Sequence, residues 1–297
     1  MPHILTLVAP PGGLSPQTLA PVLAALAAAG ADCRAPDWLS EGEALDIPFS
    51  GLAPAAAQAA ALAALAGQTV DAIAQAAATR RKALLLADMD STIVTTETLD
   101  ELAAEAGLKA RIAAITARAM NGELDFKAAL RERVAMLKGL PEAALQRTWE
   151  TTEIMPGARA LVATMRAAGA HAALVSGGFT FFTGRVAALV GFHEHHANQL
   201  ILADGALAGT VAEPILDRDS KLATLMRLAK SRGLPIERTL TVGDGANDLP
   251  MLQAAGLGIA FRAKPTVQAQ AHARVNHGDL TALLFAQGFH RAEFAAM

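Results

Sequence analysis

Apolar and polar positions change their spacing once along the chain, at about residue 80. Before that point, short apolar runs predict strands at residues 4–8, 31–34, 44–49 and 69–74. Alanine- and leucine-rich segments predict helices at about residues 16–29 and within 51–67. The resulting βαββαβ order is typical of a ferredoxin-like α+β sandwich, so we expect residues 1–80 to form a small domain of that kind.

After Arg80-Arg81-Lys82, a basic triplet that we interpret as a solvated linker, strands and helices alternate. Buried strands are predicted at residues 83–87, 171–175, 239–242 and 257–261, each followed by glycine or polar residues. Such alternation predicts a Rossmann-like parallel sheet with helices on both faces. Residues 81–297 would then form the second domain of an α/β protein.

A stretch without strand signal, at about residues 96–150, interrupts this alternation directly after the first strand of the second domain. Its segments have helical periodicity, with Asp125 as a predicted N-cap and Pro141 at a helix start. Open α/β sheets bind their ligands at the carboxyl ends of their strands. A helical insertion at this point therefore predicts a cap over that edge.

The composition of the 297-residue chain excludes several classes of protein. Apolar residues make up 53% and charged residues 18%, which is enough for a large core. With 25 Lys and Arg against 28 Asp and Glu, the net charge is −3. We expect no nucleic-acid partner, because binding to a phosphate backbone requires clustered cations. Cys33 is the single cysteine, which excludes an intrachain disulfide and a thiolate-rich metal site.

The sequence predicts neither a membrane span nor a signal peptide. Segment 51–67 is alanine-rich and contains Pro54 and Gln58, so it falls short of the ~20 strongly apolar residues of a spanning helix. The N-terminal MPHILTLVAPPGG lacks a basic region before its apolar run. We expect a cytoplasmic protein with no membrane partner.

Polar residues at the carboxyl ends of three predicted strands are chemically complementary. Asp88 and Asp90 follow the first strand, and two carboxylates this close repel each other unless a cation lies between them. Ser176 and Gly177 come between a strand and a helix, where a hydroxyl and free backbone N–H groups can bind an anion. Asp244, with a glycine on either side, is placed to share a hard cation with Asp88.

Lys221 is the fourth element of this pattern. It follows Asp219-Ser220, which we interpret as a helix N-cap, so it lies in a first helical turn, where a cation opposes the helix dipole. A residue that contradicts a local preference is a candidate for function. A hard cation, two carboxylates, an anion site and a lysine together predict phosphoryl transfer through a carboxylate nucleophile.

Four separated motifs carry a resemblance to a known family. DMDSTIV, SGGF, the helix start at Lys221 and GDGANDLPML resemble, in type and order, the motifs of the haloacid-dehalogenase-like hydrolases. DMDSTIVTTETLDE, MNGELDFKAALRERV and GDGANDLPMLQAAGLGIAFRAKP resemble the phosphoserine phosphatases among them. The resemblance extends from about residue 83 to the C-terminus. It implies a Mg²⁺-dependent hydrolase of O-phosphoserine that forms an aspartyl-phosphate intermediate. This hydrolysis would be the last step of serine biosynthesis.

The resemblance also implies a role for each motif residue. Asp88 would be the nucleophile and Asp90 the general acid and base. The ligands of Mg²⁺ would be Asp88, Asp90 through its carbonyl, and Asp244, with Asp248 in support. The phosphoryl group would be bound by Ser176, Gly177, Lys221 and Asn247.

Two further residues would select the substrate. The resemblance assigns the substrate ammonium to Glu97 and its carboxylate to Arg133 rather than Arg131. The chemistry agrees, because a bidentate guanidinium–carboxylate pair and an ammonium–carboxylate contact favour a zwitterion over a sugar phosphate. Met120 and Phe126 match positions on the apolar wall of the cap.

A histidine-rich segment between the SGGF motif and Lys221 is interpreted as structural. His193, His195 and His196 resemble a metal cluster, but they precede a predicted β-hairpin around Asp204-Gly205. We therefore expect the three histidines in a solvated turn.

The sequence leaves alternatives open. A phosphotransferase of the same family would pass the phosphoryl group to another hydroxyl amino acid, and release of free phosphate without an acceptor separates the two. A nucleotide-binding module is disfavoured, because Asp88 stands where a G-x-G-x-x-G loop would follow the first strand. A catalytically inactive amino-acid sensor would use residues 1–80, whose order of elements resembles an ACT-type regulatory domain. A homodimer is also left open.

Overall fold

An antiparallel sheet with two helices forms the first part of the computed structural model, which describes residues 1–120 and 123–295. Its strands are β1 (His3–Val8), β2 (Asp32–Cys33), β3 (Asp37–Ser40), β4 (Ala44–Ser50) and β5 (Asp71–Ala76), and its helices are α1 (Pro16–Ala28) and α2 (Pro54–Ala64). The sheet order is β2-β4-β1-β5, with β3 also paired to β4. Each element predicted for this region is present.

Strand β3 is absent from the sequence prediction. It follows Pro36 and is four residues long, too short to show an alternation of apolar and polar positions. Its Leu39 is buried in the large apolar cluster formed mostly by residues after 80, while Trp38 packs against the N-terminal cluster. The N-terminal order is therefore βαβββαβ.

A parallel sheet forms the centre of the remaining chain. The strands that follow are β6 (Leu84–Ala87), β7 (His171–Phe179), β8 (Glu194–Asn198), β9 (Leu200–Ala203), β10 (Ala206–Val211), β11 (Thr239–Gly243), β12 (Leu257–Phe261) and β13 (Ala273–Val275). β9 and β10 form the hairpin predicted around Asp204-Gly205. The others form a sheet of order β13-β12-β11-β6-β7-β8 whose pairs are parallel, as predicted.

Helices pack on both faces of this sheet. The helices after residue 80 are α3 (Thr98–Ala104), α4 (Lys109–Met120), α5 (Phe126–Ala135), α6 (Ala143–Glu150), α7 (Ala158–Ala167), α8 (Thr180–Val190), α9 (Arg218–Ser231), α10 (Leu249–Ala254), α11 (Pro265–Gln268) and α12 (Ala282–Ala286), of which α7 and α9 cover opposite faces. Leu84 and Leu86 of β6 pack with Leu225 of α9, whereas Leu85 packs with Leu161 of α7 on the other face. Among the described residues, no helix is both long and apolar enough to span a membrane.

Helices α3 to α6 lie between β6 and β7, in the region where the sequence predicts a helical insertion. The N-cap prediction at the start of α5 is confirmed, because Oδ1 of Asp125 accepts a hydrogen bond from the backbone N of Ala128 at 2.8 Å. Pro141 lies shortly before α6, whose first residue is Ala143. Three of these helices, α3, α4 and α5, contribute residues to the cavity described below, at the carboxyl edge of the sheet.

His193 lies in an exposed bend directly before an edge strand, whereas His195 and His196 lie in that strand rather than in a solvated turn. The last two belong to β8, which pairs with β7. His193 stacks on His171 with 4.6 Å between ring centroids, and Nδ1 of His195 lies 2.9 Å from Oγ1 of Thr183. The sequence prediction is wrong here because a polar edge strand has no apolar run that would identify it.

Two residues of the basic triplet at 80–82, Arg80 and Lys82, belong to buried contacts rather than to a solvated linker, whereas the side chain of Arg81 is exposed. Nη1 of Arg80 lies 2.6 Å from Oδ2 of Asp46 in the N-terminal sheet. Lys82 is only 6% exposed, and its Nζ donates a hydrogen bond to the carbonyl of Glu237 at 2.8 Å. The partners of these cations are distant in sequence, so a local pattern could not identify them.

Apolar and polar contacts join the N-terminal sheet to the rest of the chain. Ile73 of β5 belongs to the same buried apolar cluster as Leu283 and Phe285. The carboxylate of Asp71 accepts hydrogen bonds from the backbone amides of residues 276–278, directly after β13, at 2.8–3.0 Å. Strand β5 therefore lies against the β13 edge of the parallel sheet.

Candidate active site

The carboxyl ends of three adjacent strands meet at one cavity. Asp244 follows β11, Asp88 follows β6, and Ser176 lies in β7. The residues that line the cavity are Asp88, Asp90, Glu97, Leu99, Thr116, Ala119, Phe126, Leu130, Arg133, Ser176, Gly177, Gly178 and Asn247. The structure thus brings together the residues predicted from the sequence, with Lys221 and Asp244 buried beside Asp88.

Asp88 belongs to a buried ion-pair network. Nζ of Lys221 lies 2.6 Å from Oδ1 of Asp88 and 2.6 Å from Oδ1 of Asp248. Burial raises the pKa of Asp88, the charge on Asp248 raises it further, and Lys221 opposes both effects. Burial by itself would lower the pKa of Lys221, but the two carboxylates raise it above its ordinary value, so the ammonium stays charged. Lys221 therefore favours the ionised form of Asp88 that a nucleophile requires.

The helix that carries Lys221 begins earlier than the sequence predicts. Its N-cap is Asp217 rather than Asp219-Ser220, and Oδ1 of Asp217 accepts hydrogen bonds from the amides of both residues at 3.1 Å. Oγ of Ser220 accepts in return from the backbone N of Asp217 at 3.1 Å. This reciprocal capping stabilises the helix end, and Lys221 lies in the first turn as predicted.

Three carboxylates gather where the sequence predicts a cation. One oxygen each from Asp88, Asp244 and Asp248 lies within 4.8 Å of the others. In the described part of the chain, the side chain of Asp244 has no hydrogen-bond donor. Burial, followed by the charge on Asp248, raises its pKa to about 7. Such a group of buried oxygens is costly without a cation and suits a hard divalent metal ion.

Two glycines allow the chain to fold closely around Asp248. A side chain on Gly243 would overlap the carboxyl group of Asp248, and one on Gly245 would overlap Asn247. Oδ2 of Asp248 accepts hydrogen bonds from the amides of Asp244 at 3.1 Å and Gly245 at 3.0 Å. Asp248 therefore stabilises the backbone of this segment and also belongs to the cluster of three carboxylates.

Asp90 has different partners from Asp88. Its Oδ1 accepts a hydrogen bond from the backbone N of Thr98 at 2.8 Å, and its Oδ2 accepts one from Oγ of Ser176 at 3.1 Å. Burial raises the pKa of Asp90, while the hydrogen bonds from Thr98 and Ser176 oppose the increase. A carboxyl group with a raised pKa is suited to donate a proton. Its side chain does not belong to the cluster of carboxylates formed by Asp88, Asp244 and Asp248.

Residues 176–178, which the sequence predicts as an anion-binding loop after a strand, instead belong to the irregular end of β7, and they contact the helical insertion. Oγ of Ser176 accepts a hydrogen bond from the backbone N of Gly178 at 2.8 Å. A Cβ on Gly177 would lie 2.7 Å from Cζ of Phe126, so glycine is required for this contact. Phe126 lines the cavity as predicted, and the side chain of Met120 lies outside the described residues.

Two polar side chains complete the surroundings of residues 176–178. Nδ2 of Asn198 donates a hydrogen bond to the carbonyl of Gly177 at 2.9 Å and thereby holds this end of β7 in place. Asn247 lines the cavity, and within the described chain its buried Oδ1 has no hydrogen-bond partner. Buried polar atoms are nearly always paired, so Asn247 is expected to meet a ligand or a water molecule.

Glu97 lies in the cavity with a strongly perturbed carboxyl group. Oγ of Ser91 donates a hydrogen bond to its Oε1 at 2.7 Å. Burial and, to a smaller extent, the charge on Asp90 raise the pKa of Glu97 to about 8, against the effect of Ser91. A cationic group in the cavity would stabilise the ionised form of Glu97.

Arg133 is a buried cation without a direct counter-ion. It is 6% exposed, and in the described residues no carboxylate lies within 4 Å of its guanidinium. Its Nε donates to the carbonyl of Ala129 at 3.1 Å and its Nη1 to Oγ1 of Thr116 at 2.9 Å. Arg131, in contrast, is exposed and pairs with Glu213 at 2.7 Å. The geometry therefore favours Arg133 over Arg131 as an anion ligand inside the cavity.

The comparisons with known proteins agree with this arrangement. The family model of the haloacid dehalogenase-like hydrolases matches residues 85–253, which is more than half of the chain. The chain therefore belongs to the haloacid dehalogenase-like hydrolase family.

Within this family, the chain is similar to several individual proteins. The chain is 45% identical over 217 residues to phosphoserine phosphatase SerB2 of Mycobacterium tuberculosis. The aligned region covers 73% of this chain and 53% of that protein. It thus spans about half the length of that relative. A crystal structure of a HAD family hydrolase from Salmonella enterica serovar Typhi superposes with a TM-score of 0.85 at 29% identity, covering 96% of this chain and 98% of the other. A structure of a phospho-aspartyl intermediate analogue of phosphoserine phosphatase superposes with a TM-score of 0.66 at 39% identity. The superposition covers 69% of this chain and 98% of the other.

Proposed function

We propose that the chain is a phosphatase that hydrolyses O-phosphoserine to serine and phosphate through an aspartyl phosphate on Asp88. The observation that carries the proposal is that the cavity containing Asp88 is also lined by Glu97 and by Arg133, whose guanidinium has no counter-ion within 4 Å among the described residues. A phosphorylated amino acid has the two complementary charges, an ammonium and a carboxylate, beside its phosphoryl group. The similarity to proteins named phosphoserine phosphatase supports the same substrate.

We propose Mg²⁺ as the cofactor, held by Asp88, Asp244 and the carbonyl of Asp90. Asp248, which shares the carboxylate group, would support these ligands. The bound ion would supply positive charge that offsets the repulsion between carboxylate and phosphate. The fit rests on the buried, unpartnered carboxylate of Asp244 and on the preference of Mg²⁺ for oxygen ligands.

In the first step, a carboxylate oxygen of Asp88 attacks phosphorus and the bond from phosphorus to the serine oxygen breaks. Asp90, whose pKa is raised mainly by burial, donates its proton to the leaving oxygen. Ser176, the backbone of Gly177, Lys221 and Asn247 bind the phosphoryl oxygens. Serine leaves, and Asp88 carries the phosphoryl group.

In the second step, a water molecule attacks the aspartyl phosphate. Asp90, now ionised, takes a proton from the water, and the acyl phosphate bond to Asp88 breaks. Inorganic phosphate is released, Asp88 returns as a carboxylate and Asp90 returns in its protonated form. Protons and the phosphoryl group therefore balance over the cycle.

The proposal is tested by phosphate release from three phosphate esters with and without Mg²⁺. O-phosphoserine has both charges, O-phosphoethanolamine lacks the carboxylate, and 3-phosphoglycerate lacks the ammonium. We expect the highest kcat/KM for O-phosphoserine, loss of activity with EDTA and no activity in Asp88→Asn. Equal kcat/KM for all three esters would contradict the substrate assignment. Transfer to serine or threonine with little free phosphate would instead identify a phosphotransferase.

We also propose a division into residues 1–80, an ACT-like domain, and residues 81–297, the catalytic domain with its cap at about 96–150. The support is the sheet order β2-β4-β1-β5 with two helices, and the position of α3, α4 and α5 beside the cavity. A cytoplasmic location and a homodimer stay predictions.

A further inference from the structure

A chain of hydrogen bonds connects three helices next to the cavity. Oγ1 of Thr116 on α4 lies 2.8 Å from Oδ1 of Asp100 on α3, and Nη1 of Arg133 on α5 lies 2.9 Å from the same Oγ1. All three side chains are buried, with exposures of 9% for Asp100, 4% for Thr116 and 6% for Arg133. Each of the three helices thus contributes one member of a single polar chain.

The direction of these hydrogen bonds follows from their chemistry. A guanidinium can only donate, so Oγ1 of Thr116 must accept from Arg133. The single hydroxyl proton of Thr116 then has two acceptors, Oδ1 of Asp100 at 2.8 Å and the carbonyl of Ile112 at 3.1 Å. The charged and nearer carboxylate is the stronger acceptor. Asp100 therefore turns a lone pair of Thr116 towards Arg133.

Thr116 also keeps the two opposite charges apart. No direct ion pair within 4 Å joins Asp100 and Arg133 in the described chain. A direct bidentate pair would occupy the two parallel N–H groups that a ligand carboxylate needs. Through Thr116, the charge of Asp100 still stabilises the buried guanidinium, while part of that guanidinium remains free. Arg133 and Thr116 line the cavity, and Asp100 does not.

We propose that Asp100 and Thr116 are positioning residues that orient Arg133 and so set the preference for substrates with a carboxylate. The proposal deepens the proposed function, because it assumes that Arg133 binds the carboxylate of O-phosphoserine. Neither residue touches the reacting atoms. Their removal should therefore change carboxylate recognition without changing the chemical steps.

The test compares Thr116→Val with the conservative Thr116→Ser on two substrates. Valine keeps the shape of threonine and removes the hydroxyl, whereas serine keeps the hydroxyl. We expect Thr116→Val to raise KM for O-phosphoserine about 10-fold, the effect of losing one charge-assisted hydrogen bond. KM for O-phosphoethanolamine, which has no carboxylate, and kcat for both substrates should stay within about 2-fold of wild type, the usual scatter of such contributions. Thr116→Ser should resemble wild type.

Asp100→Asn provides a second variant of nearly unchanged shape, which keeps the test valid if Thr116→Val does not fold. It should also raise KM for O-phosphoserine selectively. In an Arg133→Ala background, neither substitution should have a further effect on O-phosphoserine, because the residue that they orient is gone. Equal losses on both substrates, or full additivity with Arg133→Ala, would overturn the proposal. Wild-type protein inactive on O-phosphoserine would overturn the proposed function itself.

Discussion

Lys127 on α5 forms an ion pair with Asp217, the N-cap of α9, with Nζ 2.9 Å from Oδ2. One turn further along α5, Arg131 pairs with Glu213 at 2.7 Å. Both contacts join the helical insertion to the segment that leads into the helix of Lys221. The two ion pairs therefore link α5, which carries Phe126 and Arg133, to the segment that leads into α9.

We expect Lys127→Gln to raise KM for O-phosphoserine about 2-fold at low ionic strength, and the difference to vanish at high salt. The side chain of Lys127 is 43% exposed, so the contribution of the pair is small and screened by salt. Steady-state kinetics across a salt series would measure the effect. Arg118→Gln is the matched control, because Arg118 pairs with Glu123 inside the insertion and should have no effect. A salt-independent change would contradict this role of Lys127.

Glu97 predicts a pH dependence of substrate recognition. Its pKa is raised, mainly by burial, to about 8, so the carboxyl group is largely protonated at neutral pH. An ammonium binds the ionised form, so KM for O-phosphoserine should fall as pH rises towards 8. The ratio of its kcat/KM to that of 3-phosphoglycerate cancels effects of Asp90 that both substrates share.

Ser91→Ala provides the control for this pH dependence. The hydrogen bond from Ser91 lowers the pKa of Glu97, so its loss should move the inflection of that ratio to higher pH. Glu97→Gln should abolish the inflection, because an amide does not titrate in this range. An inflection that survives in Glu97→Gln would assign it to another group.

The two aspartates predict distinct kinetic defects with an aryl phosphate. An aryl oxide leaves without a proton, so Asp90→Asn should form the aspartyl phosphate and release one burst of aryl alcohol per site. Hydrolysis should then stall, because the general base, typically worth about 10²–10⁴-fold, is missing. Asp88→Asn should give no burst. Rapid-mixing kinetics with acid-quenched phosphoenzyme detection would measure both, and phosphoenzyme in Asp88→Asn would exclude it as nucleophile.

Removal of residues 1–79 should lower thermal stability more than activity. Every proposed site residue lies between Asp88 and Asp248, whereas the truncation exposes Phe285 and removes Asp46, the partner of Arg80. We expect Tm of fragment 80–297 to fall by at least about 5 °C, with Mg²⁺-dependent turnover per folded molecule retained. Scanning calorimetry and active-site titration would measure the two quantities. An inactive but folded fragment would show that the N-terminal residues complete the site.

Asp46→Asn in the full-length chain serves as the milder comparison. It should lower Tm by less than the truncation, because it weakens the contact of Arg80 and leaves the apolar contacts of Ile73 in place. A decrease in Tm as large as that of the truncation would show that the ion pair, rather than the apolar contacts, provides the stabilisation.

The site was largely predictable because most of its residues directly follow or lie at the ends of strands. Asp88, Ser176 and Asp244 meet because the carboxyl ends of adjacent parallel strands share one edge. The contacts of Thr116 were not predictable, because they depend on how α3, α4 and α5 pack together. Nothing local distinguishes Thr116 from an ordinary helical residue.

The same reason explains the errors at residues 80–82 and in β8. The partner of Arg80 is Asp46 in another sheet, and a local cluster of cations is normally solvated. In β8, Glu194 pairs with His171 at 2.6 Å across the sheet edge. In both places polar residues are satisfied by tertiary partners, which sequence periodicity does not report.

The outer strands of the parallel sheet bear on the risk of self-association by strand addition. An exposed edge offers unpaired backbone groups to other molecules, and such edges promote aggregation. At one side, β5 and the carboxylate of Asp71 cover β13. At the other side, β8 displays Glu194 and His196 instead of an apolar surface. The N-terminal sheet thus protects one border of the parallel sheet, and charged side chains protect the other.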